Sequence, residues 1–266
     1  MTSRLQVLLV ACAGVLAVLV SGCGSSGDAQ PSSSAASLSL VGLGDSVPGA
    51  LGCTLPCRSY VRSYGEEASK ALGEEVTVTN LATNDSLVSG TLLYRVSEDQ
   101  AHRDALAKAD LVTLTIGFND WQADCYFDGA DSCMRRTSQT VENNLGQILT
   151  EIAALRAGKP TAIRVTTYYN GNIGNPNSPS DWSYGPADEA AFQALFAGAL
   201  ADFNTMICRV AEAASAVCVD LVPAFNGPNR DQDAKDLLLS DHGHPSEAGH
   251  LLIADSIAAS GFDPLS

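Results

Sequence analysis

The sequence predicts an α/β domain built around a parallel β-sheet, and two features carry that prediction. Short apolar segments alternate along the chain with longer segments of helical periodicity, which is the pattern of strands joined by right-handed crossover helices. Two of the apolar segments run into glycine followed by small polar residues, as strands do where an open sheet binds its ligand. The 266 residues show no internal repeat and no second linker, so we expect one doubly wound domain with a single core.

Five segments have the composition of strands. The first is the apolar part of 38–46, and 111–116 is a similar continuous apolar run, as expected of a strand that is buried on both faces. Segment 75–80 alternates apolar and polar residues, which is the period of a half-exposed strand. The remaining two strands are predicted at 162–168 and 216–221.

The segments between these strands carry helical patterns. Segment 58–72 ends at a glycine, and the amphipathic segment 137–157 is closed by a glycine and a proline, which are common stop signals. Segments 99–108 and 187–214 are also predicted to be helical. Ser246 precedes a last apolar run and is a plausible N-cap for a final helix.

The N-terminus predicts export and a lipid anchor. Residues 1–22 carry one positive charge and then an uninterrupted apolar run, which is typical of a secretory signal. The run ends in Val-Ser-Gly-Cys, which resembles the lipobox of bacterial lipoproteins and implies lipidation of Cys23; an ordinary signal peptide near a free cysteine is the alternative. We therefore predict a lipoprotein signal peptide at 1–22, the lipidated cysteine with a flexible Ser/Ala/Gly-rich tether at 23–37, and the folded domain at 38–266.

The charge balance disfavours some partners. The formal net charge is −15, and a surface that acidic repels phosphate backbones and anionic headgroups. We therefore expect no nucleic-acid partner. An acidic surface that keeps the protein soluble explains the charge.

The cysteine pattern predicts disulfides. The chain has eight cysteines, of which Cys12 lies in the predicted signal and Cys23 is the predicted lipid site. The other six fall into pairs of sequence neighbours, which in an oxidising compartment favours Cys53–Cys57, Cys125–Cys133 and Cys208–Cys218. A zinc site is the alternative, but the sequence has no Cys-x-x-Cys repeat and no mixed Cys/His cluster, so we expect no metal.

Three short motifs carry the candidate chemistry. Gly-Asp-Ser delivers Ser46 to the end of the first strand, and Asn119 follows the third strand. Near the C-terminus Asp241 precedes His244 by three residues, and a carboxylate so placed can hold an imidazole in one tautomer and stabilise its cation. His242 competes as the base. The Gly-x-Ser-x-Gly turn of the α/β-hydrolases is absent from the sequence around the serine.

These motifs, GDS, GxND and DxxHP, in this order resemble those of the SGNH/GDSL hydrolase family over roughly residues 38–260. The resemblance implies a flavodoxin-like, three-layer α/β/α sandwich with a five-stranded parallel sheet. It implies that Ser46 is a nucleophile, that His244 is the general base and that Asp241 orients it. It further implies that the side-chain amide of Asn119 donates to the oxyanion, next to the backbone N–H of the serine.

One block departs from the family pattern. The family places a glycine N–H in the oxyanion hole after the second strand, whereas residues 80–86 contain no glycine. Gapless matching puts Asp85 at that place, and a one-residue deletion puts Asn84 there. Either residue keeps a backbone N–H, but an ionised Asp85 side chain that faced the oxyanion would oppose catalysis.

The sequence therefore predicts a membrane-tethered, extracytoplasmic serine esterase that hydrolyses carboxylic esters through an acyl-enzyme. No cofactor is implied, and we expect a monomer. The substrate is either a lipid or acyl ester or an O-acetyl group on envelope carbohydrate. The alternative is a non-catalytic binding or scaffold lipoprotein that keeps the fold with a weakened site.

Four aromatic residues could contribute to the site. Trp121, Tyr168, Tyr169 and Trp182 follow or end predicted strands, where aromatic side chains either line a substrate groove or pack loops against the core. The sequence does not distinguish a role in the substrate groove from a role in packing.

Overall fold

The fold is centred on a five-stranded, fully parallel sheet. The structure is a computed structural model that describes residues 37–124, 130–176, 178 and 188–266, which all fall within one unit spanning 35–266. The strands are β1 (Ser37–Gly44), β2 (Glu75–Asn80), β3 (Leu111–Thr115), β4 (Ala162–Thr166) and β5 (Val217–Val219). They pair in the order β2-β1-β3-β4-β5, and every pair is parallel. The predicted five-stranded parallel sheet is confirmed.

Helices cover both faces of this sheet. Among the described residues they are α1 (Ser46–Gly49), α2 (Tyr60–Leu72), α3 (Ser89–Glu98), α4 (Gln100–Leu106), α5 (Phe118–Asp124), α6 (Ala130–Arg156), α7 (Glu189–Ala213), α8 (Val222–Asn226) and α9 (Glu247–Ala259). Helix α2 packs against α9, while α6 packs against both α3 and α7, which gives the two outer layers of the α/β/α sandwich.

The central strands are buried on both faces, and most of their residues are apolar or threonine; the exception, Arg164, is buried with its guanidinium donating to Ser260 and Gly261. Every residue of Leu111–Thr115 and of Ala162–Thr166 is buried, as is the second half of Ser37–Gly44. Such strands read as continuous apolar runs rather than as alternating ones. Residues that directly follow these strands are therefore held by a rigid layer.

The predicted helices and strands are present, with boundaries that shift by a few residues in most cases. Helix α2 is capped by Ser59 and ends at Gly73, which adopts the left-handed conformation. The hydroxyl of Ser246 caps α9, as the sequence predicts. The short helices α1, α5 and α8 and the ten-residue helix α3 were not predicted.

The structure contains two of the predicted disulfides, Cys53–Cys57 and Cys208–Cys218. The first closes the loop that follows α1, and the second ties the end of α7 to β5. The third prediction involves Cys125, which lies outside the described residues, and so do Trp182 and the predicted signal peptide and lipid-anchored cysteine.

Helix α7 is long and apolar enough by length and composition to cross a membrane. Its large side chains Phe192, Phe196 and Phe203 are nevertheless buried within the domain. This burial is typical of the core helix of a globular domain.

Candidate active site

The sequence-predicted side chains meet at the carboxyl ends of the strands. There they line a cleft of about 210 Å³. Ser46 follows β1, Asn119 lies just after β3, and His244 reaches the same edge from the loop before α9. Because open α/β sheets bind their ligands at this edge, the cleft is the candidate active site.

The serine sits on a tight turn that requires glycine before it. Gly44 has φ of 134°, and a Cβ there would lie 1.9 Å from the carbonyl oxygen of Thr115. The next residue, Asp45, caps α1 by accepting the N–H of Val47 at 3.0 Å. Ser46 therefore begins a short helix directly above the sheet, with 7% of its surface exposed.

The histidine and the serine are within hydrogen-bond distance. His244 Nε2 lies 3.0 Å from Ser46 Oγ, although 198 positions separate the two residues in the chain. On the other side of the ring, His244 Nδ1 lies 2.7 Å from Asp241 Oδ2. With the proton on Nδ1 shared with the carboxylate, Nε2 presents a lone pair to the serine hydroxyl, which is the arrangement of a Ser-His-Asp triad.

The carboxylate is held in place by the loop itself. Asp241 Oδ1 accepts the backbone N–H groups of Gly243 and His244, each at 2.9 Å. Burial raises the pKa of Asp241, but these N–H groups and the His244 imidazole outweigh it and hold the pKa below its ordinary value. The carboxylate therefore stays charged where it can stabilise an imidazolium.

The neighbouring histidines occupy different environments. His242 lines the same cleft with a φ of 52°, and its Nδ1 is buried with no hydrogen-bond partner among the described residues. His250 is fully buried in α9, where Nδ1 accepts the Tyr60 N–H at 3.3 Å. Burial, with a smaller contribution from His244, lowers the pKa of His250 to about 4.

One cluster has the residue types of a metal site. Cys53, Cys57 and His250 bring their ligand atoms within 4.8 Å of one another. The two cysteines are joined in a disulfide, so their sulfurs are not thiolates, and it is the thiolate that binds metal.

Asn119 lines the cleft, and its amide is partly engaged. Nδ2 donates to the carbonyl oxygen of Leu87 at 3.2 Å, which fixes the orientation of the side chain. A primary amide carries two N–H groups, so this bond uses one of them.

The loop after β2 reaches the cleft through a residue that the sequence did not single out. Asn84 and Asp85 are exposed, and among the described residues that line the cleft this loop is represented by Ser86 instead. The Thr83 hydroxyl donates to the Asp85 carboxylate. The path of this eight-residue loop, which has no glycine, is set by tertiary contacts, so sequence patterns could not distinguish among the three residues.

The aromatic residues divide between core and cleft. Trp121 is fully buried and packs 4.6 Å from the ring of Phe203, so it belongs to the core. Tyr168 and Tyr169 line the cleft together with Phe118. The cleft thus combines aromatic walls with the polar groups of the serine, histidine and asparagine.

A buried carboxylate under the serine was also missed by sequence reasoning. Asp45 is 1% exposed and accepts the Tyr168 hydroxyl at 2.7 Å. Burial raises the pKa of Asp45 to about 6, against the opposing effects of its bonds to Tyr168 and Val47 and of nearby His244. The Gly-Asp-Ser motif gave this residue no role beyond the turn.

Comparison with known proteins places the chain in a family. Residues 43–252 match the model of the GDSL-like Lipase/Acylhydrolase family. Among solved structures, the lipase Lip_vut3 from a goat rumen metagenome is 22% identical with a TM-score of 0.70, over 86% of this chain and 100% of that one. The acetylxylan esterase Axe2 from Geobacillus stearothermophilus is 20% identical with a TM-score of 0.57, over 84% and 93%. No curated protein sequence matches the chain significantly.

The match to the family model extends from the end of β1 into α9, and so it contains the serine, the asparagine and the Asp-His pair of the cleft. It covers well over half of the chain. The two solved structures, at these low identities, show that the fold is shared. The chain therefore belongs to the GDSL-like lipase/acylhydrolase family and is a carboxylic ester hydrolase.

Proposed function

We propose that the chain is an extracytoplasmic serine esterase that acts through an acyl-enzyme on Ser46. The observation that carries this proposal is the hydrogen-bonded series Asp241–His244–Ser46, with its 2.7 Å and 3.0 Å contacts at the edge of the sheet. A serine next to a base that is oriented by a third group is the arrangement that activates a nucleophile.

The reaction follows from this geometry. His244 Nε2 takes the proton of the Ser46 hydroxyl as Oγ attacks the ester carbonyl carbon, and the Asp241 carboxylate stabilises the resulting imidazolium. The tetrahedral intermediate collapses when the imidazolium protonates the departing alcohol, which leaves the acyl group on the serine. Water then loses a proton to His244, attacks the acyl carbon and releases the acid, and the proton returns to Ser46.

The oxyanion of both tetrahedral intermediates needs donors on the other side of the serine. We assign the backbone N–H of Ser46, the second amide N–H of Asn119 and the backbone N–H of Ser86, which lies in the cleft where the sequence pointed to Asn84 or Asp85. Preorganised donors of this kind are worth on the order of 10²–10³ in kcat each.

The donors can be tested with three variants. Asn119→Ala should lower kcat by on the order of 10²–10³. Ser86→Pro removes the N–H and should lower kcat strongly, whereas the control Ser86→Ala keeps the N–H and should retain it. Circular dichroism checks that each variant is folded. Equal activity of the proline and alanine variants would remove Ser86 from the oxyanion hole.

The nucleophile and base can be tested on the soluble domain that begins at Ser32. A fluorophosphonate probe should label Ser46, as mapped by mass spectrometry of the peptides. Ser46→Ala and His244→Ala should each lower kcat for a p-nitrophenyl ester by on the order of 10⁴ or more. His242→Asn is the matched control, since asparagine tolerates positive φ and His242 lines the same cleft. Labelling at another residue, or full activity in Ser46→Ala, would refute the mechanism and favour a binding protein.

The cleft supports two classes of ester substrate. Its aromatic walls suit an acyl chain, and the polar residues Asn172 and Asn175 beside them suit a carbohydrate hydroxyl. The similar structures also divide between a lipase and an acetylxylan esterase. Comparing kcat/KM for p-nitrophenyl acetate, octanoate and an O-acetylated xylan would decide between these classes.

The location is proposed from the N-terminal sequence and the disulfides. An apolar signal ending in Cys23 and two disulfides are consistent with an oxidising compartment outside the cytoplasm. Expression of the full chain in a bacterial host should give a membrane-bound enzyme, and Cys23→Ala should release it into the medium. Unchanged membrane retention of Cys23→Ala would refute the lipid anchor.

A further inference from the structure

The two halves of the Ser-His pair lie on separate segments that both contact the end of β4. Ser46 is carried by the turn after β1, and His244 by the loop before α9. Two consecutive tyrosines, Tyr168 and Tyr169, follow β4 and lie between these segments in the cleft. Both are almost fully buried, at 5% and 6% exposed.

The first tyrosine contacts the serine turn. Tyr168 donates its hydroxyl to Asp45 Oδ2 at 2.7 Å, and Asp45 Oδ1 accepts the N–H of Val47 at 3.0 Å. The carboxylate therefore connects the end of β4 to the residues on both sides of Ser46. All of these groups are buried, so water does not compete for the hydrogen bonds.

The second tyrosine contacts the histidine loop. Tyr169 donates its hydroxyl to the carbonyl oxygen of Gly243 at 2.7 Å, and Gly243 immediately precedes His244. Its ring stacks on Phe225 with centroids 4.1 Å apart and planes 11° apart. The ring therefore has little freedom to turn away from the loop.

The backbone that carries the tyrosines is itself fixed. Asn204 of α7 accepts the Tyr168 N–H at 3.0 Å and donates to the Tyr168 carbonyl oxygen at 2.7 Å. This two-way bond holds the backbone of the first tyrosine against the domain, and the second tyrosine is the next residue. Both tyrosine side chains therefore extend from one fixed stretch of backbone.

We propose that Tyr168 and Tyr169 are positioning residues that together set the distance between Ser46 Oγ and His244 Nε2. The proposal rests on the proposed function of this pair. Tyr168 holds the turn that carries Ser46, and Tyr169 holds the loop that carries His244. Because both tyrosines follow the same strand, the two hydrogen bonds together determine the distance between the serine and the histidine. Catalysis is sensitive to such placement, because a shift of about 1 Å can cost on the order of 10²-fold in rate.

Packing alone offers a different explanation, since a buried tyrosine hydroxyl usually finds some partner. The two explanations differ in what a loss of the hydroxyl does. If the tyrosines only fill space, Tyr→Phe lowers stability and leaves the turnover of correctly folded enzyme unchanged. If they position the pair, turnover per folded site falls while substrate binding does not.

The test uses Tyr168→Phe, Tyr169→Phe and the double variant, with Tyr60→Phe as matched control. Tyr60 is also fully buried, and its hydroxyl lies 2.7 Å from that of Thr115, so it loses a similar bond that is made to neither Asp45 nor Gly243. Titration with a fluorophosphonate counts competent sites, and kcat and KM for a p-nitrophenyl ester are then expressed per titrated site.

Each tyrosine variant should lose about 10-fold in kcat with KM unchanged, and the control should keep its kcat. The double variant should lose less than the product of the two single losses, because both act on one contact. Wild-type kcat per titrated site in both single variants, or a double loss equal to the product, would overturn the proposal.

The experiments distinguish a failure of the positioning role of the tyrosines from a failure of the proposed serine mechanism. If Ser46→Ala is inactive and Ser46 is labelled while the tyrosine variants match wild type, only the positioning role fails. If Ser46 is neither labelled nor required, the mechanism itself fails.

Discussion

At the residue scale, the least expected feature is a buried carboxylate next to Ser46, the proposed nucleophile. Asp45 is enclosed below Ser46, where its two oxygens accept the Tyr168 hydroxyl and the Val47 N–H. Burial and nearby Asp120 oppose its ionisation, whereas the hydrogen bonds from Tyr168 and Val47 and nearby His244 favour it. The cleft thus holds two carboxylates with opposite pKa shifts, since the pKa of Asp241 is lowered.

Replacing Asp45 with asparagine should change the pH dependence of stability. The pKa of Asp45 is raised from 3.8 to about 6, so between these pH values the folded state binds a proton that the unfolded chain has lost. The free energy of unfolding therefore falls as the pH rises through this window, by about 3 kcal/mol in total. Asp45→Asn lacks this loss, so the variant should gain stability relative to wild type as the pH rises from 4 to 7.

Urea unfolding followed by circular dichroism at several pH values measures the difference. A difference between variant and wild type that stays constant from pH 4 to pH 7 would contradict the raised pKa.

At the element scale, the site depends on how closely two loops approach. The loop after β4 touches the histidine loop at Gly171, where a Cβ would lie 2.0 Å from the carbonyl oxygen of His242. The clash is with a backbone atom rather than with the end of a flexible side chain, so a side chain at this position has to push the loops apart. The close approach therefore explains why a glycine is found there.

Gly171→Ala should therefore displace the histidine from the serine. We expect kcat to fall by on the order of 10²-fold while the domain stays folded. Gly198→Ala is the matched control: Gly198 lies in α7, its added Cβ meets nothing within 4 Å, and alanine is the better helix former. The control should keep its kcat and gain stability. Wild-type kcat in Gly171→Ala would show that the histidine loop adapts without cost.

The elements that sequence could predict are those with local signals. The strand before Ser46 is indicated by an apolar run that ends in glycine, and the helix after Ser246 by a capping serine followed by an apolar run. Helix α3 carries no such signal, since Val88 at its N-cap has no capping side chain. Its first turn is held instead by Asp120, which accepts both the N–H and the hydroxyl of Ser89 from 31 residues away.

The same distinction separates the predicted site residues from the missed ones. Ser46 and Asn119 could be predicted to lie together because each follows a strand that ends at one edge of a parallel sheet, and the family motif that contains Asp241 and His244 predicted the same for the histidine. The approach of Ser86 to the cleft and the bonds of Tyr168 and Tyr169 depend on loop paths and side-chain directions. Those are fixed by tertiary packing, which short-range sequence patterns do not encode.

At the scale of the whole molecule, the direction of β1 places the start of the domain and the cleft at opposite ends of the sheet. Strand β1 begins at Ser37 on one edge of the sheet and ends next to Ser46 at the other. At about 3.3 Å per residue its eight residues place the start of the domain roughly 25 Å from the cleft. The described domain therefore begins at the strand end opposite the cleft.

The acid stability of the whole domain should depend on His250, which lies outside the proposed Ser46–His244–Asp241 triad. The pKa of buried His250 is lowered from 6.5 to about 4, so in this window the unfolded chain binds a proton that the folded state does not. The free energy of unfolding therefore falls as the pH drops from about 6.5 to about 4, by about 3 kcal/mol.

His250→Asn can keep an acceptor for the Tyr60 N–H while removing the titrating ring. The variant should be less stable than wild type at pH 7, because it loses the packing of the ring against Tyr60. That difference in stability should become smaller towards pH 4, since only the wild type is destabilised by keeping the buried histidine neutral there. Asp45→Asn serves as an internal comparison, because its stability relative to wild type should rise with pH over an overlapping pH range, whereas that of His250→Asn should fall. Parallel unfolding curves for His250→Asn and wild type, with a constant offset across this range, would show that the histidine does not govern acid stability.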